Sequence, residues 1–388
     1  MARSAEPYLF IIRNGPIWDL EGQRFIARAF GSRFRGEICT YGNEPGFLSE
    51  NGIEMRRFVF KAPRRALARA LYTTRIVGRA MRKRWLDGER LVIVSYDPLQ
   101  SGVMGVLAKW LTGAPLICEV NGVYGEDENL VDMPDREARA AKRNRMLRVG
   151  TFVLRRADHV KLLFPEQLDG FGTSICDQRV WFFNLINEDV FQPRGLTPEK
   201  RMVFVGYPFL RKGADHLLEA WDRLRGEFPD WSLTLVGFRV EEDAREGQHP
   251  TEGVEFFGPL PPEELAALIE SSAGLVLPSR SEAMGRVLLE SAHLGRPRLG
   301  SRVGGIPYYI EHGVDGLLFE PANTDSLEQA LRRFMSDPGL REKLSRGARE
   351  RARTSFSSQE YLRRYGEIVK RLTNWEGPPA ELSSPQSS

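Results

Sequence analysis

Two glutamates, a lysine and a set of glycines carry the chemistry that the sequence offers. In the stretch LPSRSEAMGRVLLESAHLGRP (Leu277 to Pro297), an apolar strand ends in a short polar loop. Ala283 to Leu294 then reads as a helix with Gly285 in its first turn and Glu290 in the next. The unpaired N–H groups and positive dipole end of such a helix start, here Gly285, Arg286 and Val287, suit a diphosphate. Glu282 and Glu290 are eight residues apart, about 12 Å along a helix axis at 1.5 Å per residue. That is too far for two carboxylates sharing a proton or for either common glycosidase pairing. It suits two grips on one extended ligand, Glu282 at a sugar and Glu290 at the vicinal hydroxyls of a ribose. An isolated pair of this kind is more often a cap and an exposed helix residue, so the neighbouring segments decide the matter.

Two segments bear on it. In FVGYPFLRKGADHLLEAW (Phe204 to Trp221), a strand ends in a turn at Gly206, and Arg211, Lys212 and Gly213 stand just ahead of an amphipathic helix. Lysine offers phosphate a point charge and arginine a planar fork. In GSRVGGIPYYIEHGVDGLLFEP (Gly300 to Pro321), Gly304 and Gly305 permit a close backbone approach and Pro307 sets the turn.

The elements that must position these residues alternate strand and helix through 388 residues, the signature of parallel sheets covered on both faces. The first half carries strands at YLFIIR (from Tyr8), EICTY (from Glu37), RFVF (from Arg57), LVIVS (from Leu91), PLICEV (from Pro115), HVKLLF (from His159) and VWFFN (from Val180). The second carries RMVFVG (from Arg201), SLTLVG (from Ser232), VEFF (from Val254), GLVLP (from Gly274) and GLLF (from Gly316). The expected fold is α/β, with two Rossmann-like, doubly wound parallel-sheet domains facing across a cleft. The first spans residues 1–193 and the second 194–357; a helix over 358–375 returns to the first domain, and a Pro/Ser-rich tail, 376–388, is disordered. A GxGxxG fingerprint is missing after the first strand, where RNGPIWDLEG stands, which argues against a simple NAD-dependent dehydrogenase.

The order of the second-half motifs resembles glycosyltransferase family four, the retaining GT-B enzymes that use nucleotide sugars. The pattern G-x5-KG-x-D-x-LL-x-A falls on Gly206, Lys212, Gly213, Asp215, Leu217, Leu218 and Ala220, and PS-x2-E-x2-G-x4-E on Pro278, Ser279, Glu282, Gly285 and Glu290. GG-x-P and a later DG follow at Gly304, Gly305, Pro307, Asp315 and Gly316. The resemblance implies a GT-B fold and transfer of a sugar from a UDP- or GDP-sugar to a hydroxyl acceptor with retention, in cell-envelope polysaccharide or glycolipid synthesis. It places Lys212 and Arg211 on the diphosphate, Glu282 and the backbone of Met284 to Val287 at the donor sugar and its phosphates, and Glu290 on the ribose. The loop after Gly258, with Leu260, takes the nucleobase. Same-face attack lets the departing phosphate accept the acceptor's proton. Tyr207 stands where the family usually has an arginine, with Arg211 the candidate substitute; Met284 replaces an aromatic and Tyr308 a glutamate. A nucleotide-sugar epimerase and a non-catalytic sugar-nucleotide-binding module are the alternatives. No cofactor is expected, and no metal, since no Asp-x-Asp pair is present to hold a divalent ion.

The acceptor belongs to the first domain, with Asn14 and Gly15 after the first strand and Glu119, Asn121 and Gly122 after PLICEV as candidates. The net charge of +3 hides an asymmetry, +7 over residues 1–194 and −4 over the remainder. Eleven Lys/Arg and no acid lie between Arg56 and Arg84, with Leu67, Leu71, Met81 and Trp85 near helical spacing. This reads as a basic amphipathic helix for an anionic membrane surface bearing a lipid-linked or glycan acceptor. Nucleic acid is not expected, because no recognition motif or stacking pattern accompanies the charge. The start of the chain reads as a strand rather than a signal peptide. Three scattered cysteines fit a reducing cytoplasm, with peripheral attachment to the inner face of the membrane.

Overall fold

The computed structural model describes residues 6–16, 21–42, 44–59, 65–126, 128–172, 176–237 and 252–375, with the side chains at 14–16, 21, 65 and 66 left aside. The tail over 376–388 lies outside the described residues. Strands β1 (Pro7–Pro16), β2 (Arg35–Tyr41), β3 (Gly46–Glu50), β4 (Ile53–Phe58), β5 (Arg90–Ser95), β6 (Leu116–Glu119), β7 (His159–Leu162) and β8 (Arg179–Trp181) form one sheet in the order 3-4-2-1-5-6-7-8. Strands β9 (Glu199–Val205), β10 (Ser232–Val236), β11 (Val254–Phe257), β12 (Ser272–Leu277), β13 (Arg298–Ser301) and β14 (Gly316–Phe319) form a second, in the order 11-10-9-12-13-14. In the first domain the helices are α1 (Arg24–Gly31), α2 (Arg65–Trp85), α3 (Gln100–Thr112) and α4 (Arg136–Leu154). Beyond them come α5 (Ala214–Leu224), α6 (Pro262–Glu270), α7 (Arg286–His293), α8 (Ile306–Tyr309), α9 (Thr324–Ser336), α10 (Pro338–Ser355) and α11 (Ser358–Thr373).

The apolar runs became strands because both faces of each sheet are covered. Leu9, Phe10, Ile11 and Ile12 of β1 are all buried, so alternation would leave polar groups in a core. One core packs Tyr8, Phe10 and Ile12 against α2 and α3. A second runs from the other face of β1 through Phe182, Tyr361 and Tyr365 into the second sheet. Helix α11 makes that continuity: its Tyr365 ring meets Phe30 edge-on at 5.2 Å, and its hydroxyl donates to Glu119 of β6 at 3.0 Å.

Several expectations are corrected. RFVF from Arg57 is not a strand of its own; β4 occupies Ile53–Phe58 and pairs with β3, an antiparallel edge hairpin on an otherwise parallel sheet. Strand β13 was hidden by the arginines and proline of GRPRLGS. Its Arg298 is fully buried and tolerated there because Asp315, equally buried, sits 2.8 Å away. Asn14 and Gly15 lie within β1 rather than after it. Of the basic run from Arg56, Arg56 and Arg57 lie on β4 and the residues from Arg65 to Arg84 on α2, while Lys61 and Arg64 lie outside the described residues. Arg56 and Arg79 both pair with the buried Glu37, and Arg56 also with Glu54 at 2.7 Å, so these two cations serve the fold.

Candidate active site

Strand order reverses between β9 and β12, since β10 lies on one side of β9 and β12 on the other. That switch point opens a crevice at the carboxyl ends of the strands. The three segments singled out above are the loops after β9, β12 and β13, neighbours in the sheet, so the topology brings them together. Arg280 N–H donates to the Arg211 carbonyl at 2.8 Å, and the Arg280 guanidinium grips Asp215 with two bonds of 2.7 Å. Burial opposes ionisation of Asp215, but Arg280 outweighs it and holds the carboxyl below its usual range. Gly213 adopts φ +72°, and a Cβ there would overlap the Pro278 carbonyl; only glycine allows this approach. From the β13 side, Gly305 N–H donates to the Glu282 carbonyl at 3.1 Å.

At the centre, Lys212 Nζ donates to Glu282 Oε2, with side chains only 14% and 11% exposed. Burial pushes the Glu282 carboxyl up, yet Lys212, Arg211 and the Gly285 N–H together carry it below the ordinary range. Lys212 is thus held in place by Glu282, and Arg211 and the exposed Arg286 extend the positive field around it. Gly206 lies against the Lys212 stem, where a Cβ would come within 3.0 Å of Cγ.

Helix α7 starts at Arg286 rather than at Ala283, because Gly285 adopts φ +70° and breaks the turn. Glu282 is therefore on the loop, and the 12 Å helical spacing between the two glutamates does not apply. Gly285 lacks a side-chain cap, so the first N–H groups of α7 are open to a ligand. One turn on, Glu290 is half-buried, and no described residue hydrogen-bonds its carboxylate. Burial raises its pKa to about 7, with Arg286 opposing. Val287 and Met284 are buried, and the Met284 sulfur accepts from the Asn184 N–H of the first domain at 3.3 Å. Tyr207 is 43% exposed, and Arg211 donates to its carbonyl at 3.2 Å. Leu260 lies between β11 and α6, two strands away from β9 and apart from this cluster.

Across the cleft, Glu119 at the end of β6 is 1% exposed and engaged on both oxygens, by Tyr365 and by Asn121 Nδ2 at 3.1 Å. Asn121 also donates to the Tyr96 carbonyl at 2.9 Å, and the Gly122 carbonyl accepts from Gln167. Glu119 nonetheless lines a small interdomain cavity together with Arg13, Tyr96 and Arg286, which joins the expected acceptor side to the start of α7. Ser281 donates to Glu126 at 3.0 Å, a second bridge between the domains.

The motifs alone did not point to Arg280, Arg13 or Lys161. Lys161 is fully buried on β7, registered opposite Glu119, and donates to Asn184. Burial lowers its pKa to about 8 while Glu119 pulls it back up. A lysine inside the apolar run HVKLLF was the signal available.

Two parallel-sheet domains facing each other, with open helix starts and paired charges at the switch point of the second, define the GT-B arrangement. The structure superposes on sucrose-phosphate synthase from Thermosynechococcus elongatus with a TM-score of 0.76 at 19% identity, covering 95% of this chain and 99% of that one. It also superposes on Anabaena HepE solved with UDP-glucose, with a TM-score of 0.71 at 16% identity, covering 94% and 99%. Residues 186–351 match the family model described as glycosyl transferases group 1, and residues 24–175 match that of the glycosyl transferase 4-like domain. The chain belongs to this glycosyltransferase family. Among curated relatives, glycogen synthase of Mycobacterium tuberculosis is 31% identical over 171 residues, 43% of this chain and 41% of that protein. D-rhamnosyltransferase WbpZ of Pseudomonas aeruginosa is 34% identical over 162 residues, 40% and 41%. The chain therefore spans about two fifths of the length of these relatives.

Proposed function

We propose that this protein transfers a sugar from a UDP- or GDP-sugar to a hydroxyl of a glycan or lipid-linked acceptor, with retention, in the assembly of cell-envelope polysaccharide or glycolipid. The observation that carries this reading is the convergence of three strand-end loops on the Lys212–Glu282 pair, beside the uncapped start of α7. The donor diphosphate lies over that helix start. Arg211, Lys212 and the N–H groups of Arg286 and Val287 stabilise the negative charge that grows on it as the anomeric C–O bond breaks. Glu290 holds the ribose, Glu282 and the Met284–Gly285 backbone hold the sugar, and Leu260 borders the base. Charge on the leaving group is met by these fixed groups, so the reaction runs without a metal.

Glu119 is too fully engaged to serve as a free base, so the acceptor proton passes to the departing phosphate. The acceptor enters from the first domain, past Asn121, Gly122 and the β1 end bearing Asn14 and Gly15. Its lipid-linked form would bring the basic first domain to the cytoplasmic face of an anionic membrane. The names of the relatives and the UDP-glucose bound by the Anabaena protein support the donor class.

The test is a panel of nucleoside diphosphates scored by thermal stabilisation, followed by donor hydrolysis. A ligand at 100 times its Kd adds about 2.7 kcal/mol. Stabilisation by one base together with slow release of free sugar is expected. Stabilisation without turnover, with or without added EDTA, would reassign the protein as a binding module, and no stabilisation by any would overturn the reading.

A further inference from the structure

Helix α2 carries two apolar faces. Tyr72, Ile76 and Ala80 are buried against the first sheet. On the opposite side, Leu67, Leu71, Thr74, Gly78, Met81 and Trp85 repeat at alternating steps of four and three, one straight line along the helix, and every one of them is exposed. Leu67 is 48% exposed, Leu71 46%, Met81 37% and Trp85 56%. A Cβ built on Gly78 meets nothing within 4 Å. At 1.5 Å per residue the helix is about 30 Å long.

The stripe does not end with the helix. Trp85 Nε1 donates to the Leu111 carbonyl at 3.2 Å, which sets it beside the exposed Trp110 and Leu111 at the end of α3. Trp110 in turn meets Phe152 of α4 edge-on at 6.2 Å, and Arg156 lies over both rings. By helical spacing Arg75 and Arg82 flank the stripe on one side, Arg82 facing Asp87 at 3.8 Å, and Arg84 lies on the other, where it donates to the Thr112 carbonyl at 3.2 Å; α2 itself contains no acidic residue. Toward its N-terminal end, Arg69, Lys142 and Arg145 line a groove with an apolar floor of Leu99, Val103 and Met146.

We propose that this outward stripe, with its continuation over Trp110 and Phe152, is the surface on which the first domain lies in the headgroup layer of an anionic bilayer. The inference rests on the membrane reading above and names the surface. Tryptophan and leucine reach the acyl boundary, the arginines meet lipid phosphates, and the groove beside Arg69 takes a headgroup. Each basic residue near such a surface strengthens association about fivefold. Pairing of the face with a second copy would set arginine flank against arginine flank, whereas an anionic lipid complements them. Because α2 starts at the edge of the domain where the strands end, a chain lying on this helix keeps the mouth of the cleft at membrane level.

The test uses the full chain with phosphatidylcholine vesicles containing or lacking phosphatidylglycerol, at low and high salt. Wild type should sediment with the anionic vesicles at low salt only. The triple variant Leu71→Ser/Met81→Ser/Trp85→Ser should bind at least about tenfold more weakly with an unchanged melting temperature, while Val314→Ser on the second domain binds as wild type. A dye on Gly78→Cys, in a Cys176→Ser background, should shift to the blue when vesicles are added. Failure of wild type to bind overturns the membrane reading and this inference together. Binding by wild type that the triple variant retains overturns this inference alone. So does a vesicle-free dimer that the triple variant abolishes, because the face would then be an interface between copies.

Discussion

Replacing Lys212 by methionine removes the charge while keeping most of the stem that packs on Gly206. The Glu282 carboxylate, 11% exposed, is then left without its main counter-charge. Breaking a buried pair from one side costs about 3–5 kcal/mol, because the remaining ion is neither solvated nor matched. For a domain of this size that lowers Tm by roughly 10 °C at neutral pH. The pH dependence carries the sign. In wild type the Glu282 pKa is depressed, so its contribution is present above the unfolded value of about 4.3 and is lost as pH falls through the folded value. In Lys212→Met, burial meets only the weaker Arg211 and Gly285 contributions, and the carboxyl moves upward. The variant then takes up a proton as the solution is acidified, and its deficit against wild type narrows toward pH 5. Adding Glu282→Gln removes the stranded charge, so the double variant should recover most of the lost stability at pH 7 while remaining without donor affinity. Melting curves across pH 5–8 with and without nucleoside diphosphate read both effects. A single variant that melts with wild type at pH 7, or a double variant no more stable than the single, refutes the reasoning.

Glu290 runs the other way. Its raised pKa of about 7 means that stability present below the unfolded value is lost as pH rises through neutrality, so Glu290→Gln should melt higher than wild type above pH 7 and equal it in acid. If the ionised carboxylate holds the ribose, nucleotide affinity of wild type measured by calorimetry should rise severalfold from pH 6 to pH 8, and the variant should show weak, pH-independent binding. Arg211→Ala should lower transfer and donor affinity by at least about tenfold with little change in Tm, since among the described residues its guanidinium hydrogen-bonds only the Tyr207 carbonyl. Unchanged kinetics would end its candidacy as the stand-in for the arginine absent at Tyr207.

The donor loops were legible because each motif follows a strand within a few residues, and a parallel sheet delivers every such loop to one edge. Glycines at 206, 213, 285, 304 and 305 told where backbones come close without telling what they approach. Lys212 and Glu282 are 70 positions apart, and their pairing depends on β9 and β12 being neighbours, which no local pattern encodes. Glu119 read as an acceptor-side residue from its place after a strand. That it is locked by Tyr365, 246 residues later, follows only from α11 returning across the first domain.

The basic run shows the same division. Residue counts determined that the first half is cationic, and residue order that Leu67 to Trp85 repeat with helical spacing. Only the packed structure decided that Glu37 arrives from β2 to pair with Arg56 and Arg79, and which of the two faces of α2 the core consumes. Local propensity and periodicity act over a few residues and survive in the sequence. The partner of a buried charge and the exposure of a helix face are set by contacts between distant segments, which exist only once the sheets have formed.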